Sequence, residues 1–426
     1  MEQNTGRIHD VGQQQRIEFG RGAARGAINV ATGRDGAPRT VDQQRVGQPG
    51  LRGEPAREYV DRRWPCRCIA GRRHEPETTP GDVAWSPLCR FGAVAETVRL
   101  TEWTSCGGCA AKWGASLLAE MVCELPSGFD SSLLVGLAPF DDAAVYSLTD
   151  DLALVSTVDF FPPLVDDADD FGAIAAANAC SDVFAMGGRV VLAVNVAAFP
   201  ENLPRETVAA ILAAASRTVA EAGGTVAGGH TIRNPEPVFG LAVQGVVDPR
   251  RVFKKSGARP GDVAVLSKPL GTGLVTAAGD DAQVRAAIAG MRTLNRAAAE
   301  ALSAVADDVH AVTDVTGYGL AGHGWEIADR SGVRFEIDSA ALPAYPGARE
   351  IAARGVRTGG DPRNRDYVGA HLETSADEAS VALCMDPQTS GGLLAAVQPA
   401  AVSALIDAGF VVVGDFTGTS RGVAIT

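Results

Sequence analysis

The chain has 426 residues, 46% of them hydrophobic and 21% charged, with a formal net charge of −13. That length accommodates two or three domains of about 150 residues, and the composition is that of a folded rather than a disordered chain. No apolar run approaches the ~18 residues needed to span a bilayer, the acidic balance argues against a general nucleic-acid surface, and eight Cys are too few for a disulfide scaffold.

The charge is unevenly placed. Residues 1–100 carry 16 Arg, no Lys and 12 acids, whereas the rest holds 22 basic against 39 acidic residues. Residues 1–96 are rich in Arg, Gly, Gln and Pro and have no sustained hydrophobic period. They read as a disordered extension, or as the product of a start codon placed too far upstream. Acids interleaved among the arginines weaken a reading of this stretch as a nucleic-acid arm. No apolar leader is present, which makes the cytoplasm the expected compartment.

From Val98 onward strand and helix patterns alternate, the mark of an α/β (α+β) protein. Leu152–Phe161 predicts a strand, Ala173–Met186 a helix that ends at Gly187-Gly188, and Val190–Phe199 a second strand. Pro204–Ala222 predicts a helix stopped by Gly223-Gly224, and Thr225–Ala227 and Val238–Val247 predict further strands. Asp248–Gly261 is polar, bounded by Pro and Gly, and reads as a linker or domain boundary. Beyond it, strands are expected near Val263–Leu266, Ala311–Thr313, Val333–Ile337 and Gly392–Val397, with helices near Ala282–Ala304, Gly319–Arg330 and Pro399–Ala408. The division is then a 97–250 domain and a 251–426 domain behind the 1–96 extension.

The pair in Cys106-Gly-Gly-Cys109-Ala-Ala-Lys112 is compatible with redox exchange, half of a zinc site, or plain thiols in a glycine turn. Lys112 shifts the weight, because a nearby ammonium favours a nucleophilic thiolate and can also bind a phosphate oxygen. Asp141, Asp142, Asp159, Asp182 and Asp314 are each ordinary as turn or cap residues. Several of them interrupt apolar or small-residue segments, where unpaired carboxylates are costly and a metal ion is the usual compensation. Asn178 and Asp182 are spaced to share a helix face. Gly228-Gly229-His230 follows a short strand and suits either an anion-binding backbone nest or a simple turn. Asp386-Pro-Gln-Thr-Ser-Gly-Gly392 reads as a turn before a strand, and His323 as a structural hydrogen-bond partner.

Taken in order, these motifs resemble the selenophosphate synthetase (selenide, water dikinase) family of the aminoimidazole-ribonucleotide-synthetase-like superfamily. The resemblance runs from about Leu100 to Thr426 through Gly108-Cys109-Ala-Ala-Lys112, Asp141-Asp142, Ser156-Thr157-Val-Asp159, Ala177-Asn178-Ala-Cys-Ser181-Asp182, Gly228-Gly229-His230, Thr313-Asp314-Val-Thr-Gly317 and Asp386-Pro-Gln-Thr-Ser-Gly-Gly392. It implies a two-domain synthetase whose amino-terminal domain binds ATP and pairs with a second copy in a homodimer. It also implies conversion of ATP, selenide and water to selenophosphate, phosphate and AMP, with neither nucleic acid nor membrane as partner. By position, Cys109 and Lys112 would be catalytic, Asp142, Asp182 and Asp314 would hold Mg²⁺, and Lys112, Asp141, Asp159, Asp182 and Gly228–His230 would contact the nucleotide. The chain departs from the family pattern at Ala111 and at Phe140, where a second Cys or small residue and a polar or basic residue are common. Competing readings are another ATP-dependent synthetase or kinase of the superfamily, and a non-catalytic Cys-based redox or metal sensor.

Overall fold

A computed structural model of the chain describes residues 98–105, 107–111, 121, 130–137, 140–418 and 420–426, without the side chains of residues 109 and 110. The expected 1–96 extension lies outside the described residues, all of which belong to one compact unit, Arg90–Thr426. Its first part contains β1 (Leu133–Val135), β2 (Ala144–Thr149), β3 (Leu152–Phe161), α1 (Ala168–Ala185), β4 (Arg189–Phe199), α2 (Arg205–Glu221), β5 (Thr225–Arg233) and β6 (Val238–Val247). The strands form a six-stranded sheet in the order β1-β2-β3-β6-β4-β5, antiparallel except for the β4–β5 pair.

The register of this sheet sets one face against the helices. β3 and β6 pair from Ala153↔Val247 to Phe161↔Phe239, which puts Thr157, Asp159, Phe161, Phe239, Leu241 and Val243 on one side. Phe171 of α1 packs on Phe161 and Phe239 there, with ring centroids 6.1 and 6.2 Å apart. The opposite side carries Val158 and Phe160, both exposed.

α1 begins before the predicted Ala173 because Asp167 caps it, its side chain accepting the N–H of Asp170, while Asp169 and Asp170 complement the positive end of the helix. Every residue from Phe171 to Ala185 is buried, so beyond its first turn this helix lies inside the fold with no solvated face. Gly172 permits this, since a Cβ there would lie 2.2 Å from the Ile211 carbonyl oxygen of α2.

The second part contains β7 (Val263–Leu266), α3 (Thr272–Ala278), α4 (Asp281–Arg292), α5 (Arg296–Ala304), β8 (Val309–Asp314), α6 (Gly319–Ser331), β9 (Arg334–Ile337), α7 (Ala348–Ala353), α8 (Asp361–Val368), β10 (Leu372–Thr374), α9 (Glu378–Met385), β11 (Leu393–Val397), α10 (Val402–Asp407), β12 (Val411–Thr417) and β13 (Gly422–Ile425). Its seven strands run β10-β13-β9-β12-β7-β11-β8. The fold is mixed α/β, as the strand and helix alternation predicted.

Three local expectations change. The single helix predicted over Ala282–Ala304 is two helices, because the backbone turns extended at Thr293 (φ −69°, ψ 125°), and Asn295, at the start of the second helix, donates its buried amide to Ser181 Oγ at 2.9 Å and to the Gly391 carbonyl at 2.7 Å. Asp248–Gly261 is packed rather than a solvated linker, with Phe253, Lys255 and Ala258 buried and the Phe253 N–H bonded to the Met186 carbonyl. Gly228-Gly229-His230 is neither a turn nor a nest but the middle of β5, paired with Asn195 and Val196. Gly229 has φ +150°, and a Cβ there would lie 2.3 Å from the Asn195 carbonyl oxygen, so only glycine fits this bulged pairing.

Candidate functional site

The site is built where the edges of the two sheets and α1 converge. Asp142 lies just before β2, Asp182 in the last turn of α1, and Asp314 at the end of β8. One carboxylate oxygen from each falls within 4.8 Å of the other two. The three residues are up to 172 positions apart in sequence, yet each sits at the end or edge of a regular element, which fixes its backbone. Asp182 is buried and accepts the Thr157 hydroxyl at 2.5 Å. Burial above all, then the charges of Asp159, Asp314 and Asp142, hold its carboxyl well above the ordinary range, against the Thr157 hydrogen bond. Such a cluster resists full ionisation unless a cation joins it.

Asp142 shows how the cluster is oriented. Its Oδ1 accepts from Lys255 Nζ at 2.8 Å and from Thr313 Oγ1 at 3.1 Å. Its Oδ2 is buried and has no hydrogen-bond partner among the described residues. Buried polar atoms are rarely left so, and an anionic oxygen beside two further carboxylates suits a hard divalent cation, which takes oxygen ligands. Asp141 accepts the Lys255 backbone N–H at 3.0 Å and the Asp142 N–H at 3.0 Å. Burial, with Asp142 beside it, pushes Asp141 up to about 6.

Around this core lie groups with no evident sequence signal. Lys255 came from the presumed linker, and Lys268 from the segment between β7 and α3. Lys268 is buried with Nζ on the carbonyls of Thr293 (2.6 Å) and Ser390 (2.8 Å). Burial pulls its ammonium down to about 7, with Asp314 opposing. Asp159 reaches the site through Asn178, whose Nδ2 donates to Asp159 Oδ2 at 2.6 Å while its Oδ1 accepts the Ser390 N–H at 2.8 Å. Ser390 is the one non-glycine residue with positive φ (49°) among the described residues. The Asp386–Gly392 segment is therefore more than a turn, since it carries the second half of the fold onto α1.

Cys109 lies in a 3₁₀ turn over Gly108–Ala111, held where the Gly108 N–H meets the Pro162 carbonyl at 2.9 Å. The Cys109 side chain, Cys106 and Lys112 lie outside the described residues. Gly228–His230 does not join the cluster. It sits on the edge strand β5, separated from β3 by β6 and β4, about 14 Å across the sheet at ~4.8 Å per strand.

The two sheets and the acids between them define a two-domain α/β protein of the AIR synthase type. The family described as AIR synthase related protein, N-terminal domain, matches residues 140–247, and its C-terminal domain counterpart matches 259–424. "Selenide, water dikinase" of Caldanaerobacter subterraneus subsp. tengcongensis is 46% identical over 308 residues, which cover 71% of this chain and 89% of that protein. The same-named protein of Pseudomonas straminea is 45% identical over 308 residues, covering 70% and 86%. The chain belongs to the selenide, water dikinase family. The solved structure "AaThiL complexed with AMPPCP and TMP" has the same fold, with a TM-score of 0.53 at 20% identity over 73% of this chain and 91% of that one. Among the described residues no helix is long and apolar enough to cross a membrane.

Proposed function

We propose that the chain makes selenophosphate, converting ATP, selenide and water to selenophosphate, phosphate and AMP. The observation that carries this reading, beside family membership, is the convergence of Asp142, Asp182 and Asp314 within 4.8 Å. Cleaving both anhydride bonds of ATP requires that three phosphoryl groups be held and neutralised. In this reading the three aspartates hold Mg²⁺, which supplies charge stabilisation on the phosphates. Asp141 and Asp159, fixed by Lys255 and Asn178, sit at the margin of the cluster and face the nucleotide. Lys112 adds a cation for the phosphates, and Cys109 delivers or guards selenium. The glycine-permitted entry of the Gly108–Ala111 turn keeps that cysteine close to the Pro162 end of β3.

The outer face of the six-stranded sheet supports a homodimer. Phe160 is 54% exposed, Val158 stands beside it, and Ile232 on β5 is 54% exposed. An apolar sheet face of this kind is usually covered by a partner, and a second copy brings its own β5, with Gly228–His230, toward that face. The proposed compartment is the cytoplasm, where selenide and ATP meet under reducing conditions.

The test is ATP turnover with and without selenide, reading AMP against ADP and the ³¹P signal of the product. Selenide-dependent AMP with a new phosphorus–selenium species supports the reading. ADP as sole nucleotide product overturns it. Cys109→Ser should abolish selenide-dependent AMP, and its full retention would remove Cys109 from the mechanism.

A further inference from the structure

Glu326 and His323 are buried ionisable groups that the reading above leaves without a role, and the Lys255 ammonium joins them to the acid cluster. Lys255 Nζ lies 2.8 Å from Asp142 Oδ1 and 2.8 Å from Glu326 Oε2, with all three side chains at most 5% exposed. Glu326 Oε2 also meets His323 Nδ1 at 3.2 Å, and His323 Nε2 meets Thr316 Oγ1 at 3.2 Å. Thr316 is two residues beyond Asp314 and is held in turn, its carbonyl accepting the N–H groups of Gly319 and Gln388. The chain of contacts thus starts at one acid of the cluster and ends beside another. Glu326 and His323 share a face of α6, so one rigid helix carries both middle links.

We infer that Lys255, Glu326 and His323 are positioning residues for the metal site, fixing Asp142 so that Oδ1 is occupied and Oδ2 is presented to the cation. The inference rests on the metal reading given above. Its physical logic lies in how the lysine charge is shared. A lone ammonium on Asp142 would compete with the metal for the same carboxylate. Glu326 takes a share of that charge, so Lys255 orients Asp142 without neutralising it. His323 anchors Glu326 against rotation and ties the arrangement to the Thr316 hydroxyl. A buried ion pair adds little net stability when compared with apolar packing, whereas outer contacts to ligating side chains commonly change metal affinity by ~10–100-fold.

The test is Mn²⁺ binding to the full chain without nucleotide, followed by electron paramagnetic resonance of the free ion. Glu326→Gln keeps the shape of the side chain but leaves the whole lysine charge on Asp142. Its expected effect is a Kd weaker by about tenfold or more. His323→Gln, a second variant should E326Q not fold, is expected to weaken Mn²⁺ binding by about tenfold, the lower end of the same outer-contact range. Asp262→Asn, which breaks the buried His310–Asp262 pair (2.8 Å) away from the cluster, should lower stability and leave Mn²⁺ affinity unchanged. Folded E326Q and H323Q proteins with the parent's affinity would overturn the positioning role. So would equal weakening in D262N, which would mark the effect as general loss of stability. A parent chain that binds no Mn²⁺ would overturn the metal reading and this inference with it, an outcome distinct from a parent that binds and variants that bind equally.

Discussion

Ser390 donates its backbone N–H to Asn178 Oδ1 at 2.8 Å across 212 positions of sequence. The same Asn178 steadies Asp159 with its Nδ2, so one amide side chain joins the Asp386–Gly392 loop, α1 and β3. Both Asn178 and Ser390 are buried, and α1 also carries Asp182. The placement of that acid therefore depends on a contact made by the other half of the fold.

Asn178→Ala removes an acceptor and a donor at once in a buried setting. The expected loss is about 2–4 kcal/mol of unfolding free energy, since each buried hydrogen-bonding group deprived of its partner costs ~1–3 kcal/mol. Urea unfolding with and without Mg²⁺ measures it, and nucleotide turnover should fall in parallel because Asp159 and Asp182 lose their common support.

Asp182→Asn trades function for stability. Burial and neighbouring acids make its carboxyl costly in the metal-free protein, so the neutral amide should raise the melting temperature measured without divalent cation. Selenide-dependent AMP formation should drop by about 100-fold or more, the scale of losing one electrostatic contributor to a charged transition state. The upward shift in melting temperature on adding Mg²⁺ should vanish.

A pH effect is expected from Asp386, away from the acid cluster. It is buried and accepts the N–H groups of Gly273 and Leu274. Burial nevertheless pushes its carboxyl up to about 7, against ~3.9 in an unfolded chain. Between those values the folded state holds the extra proton, so this group's contribution to stability falls as pH rises from about 4 to about 7. Asp386→Asn should remove that part of the slope. Urea midpoints of parent and variant across this range check it, and parallel profiles would contradict it.

The exposed face of the six-stranded sheet offers a separate test. Phe160→Glu puts a charge at its centre, at a position 54% exposed in the isolated chain. If two copies meet there, light scattering should show the parent as a dimer and F160E as a monomer at micromolar concentration. Circular dichroism should be unchanged, because the side chain points away from α1.

Much of the architecture was legible locally. Alternating apolar residues marked β3, β4 and β6, and the acids at the start of α1 with glycines after it marked a helix, because period and end chemistry act over a few residues. The motif order from Gly108 to Gly392 was enough to indicate the family and to single out Asp142, Asp182 and Asp314. What tertiary structure alone decided is the meeting of those acids, the burial of Lys255 in a stretch that reads as a linker, and the use of Gly228–His230 as strand. The buried contacts of Asn295, just after the helix break at Thr293, were likewise not legible. In each case the deciding contact is made by residues far away in sequence, and a charge or an amide acquires its role only when burial removes water as the competing partner.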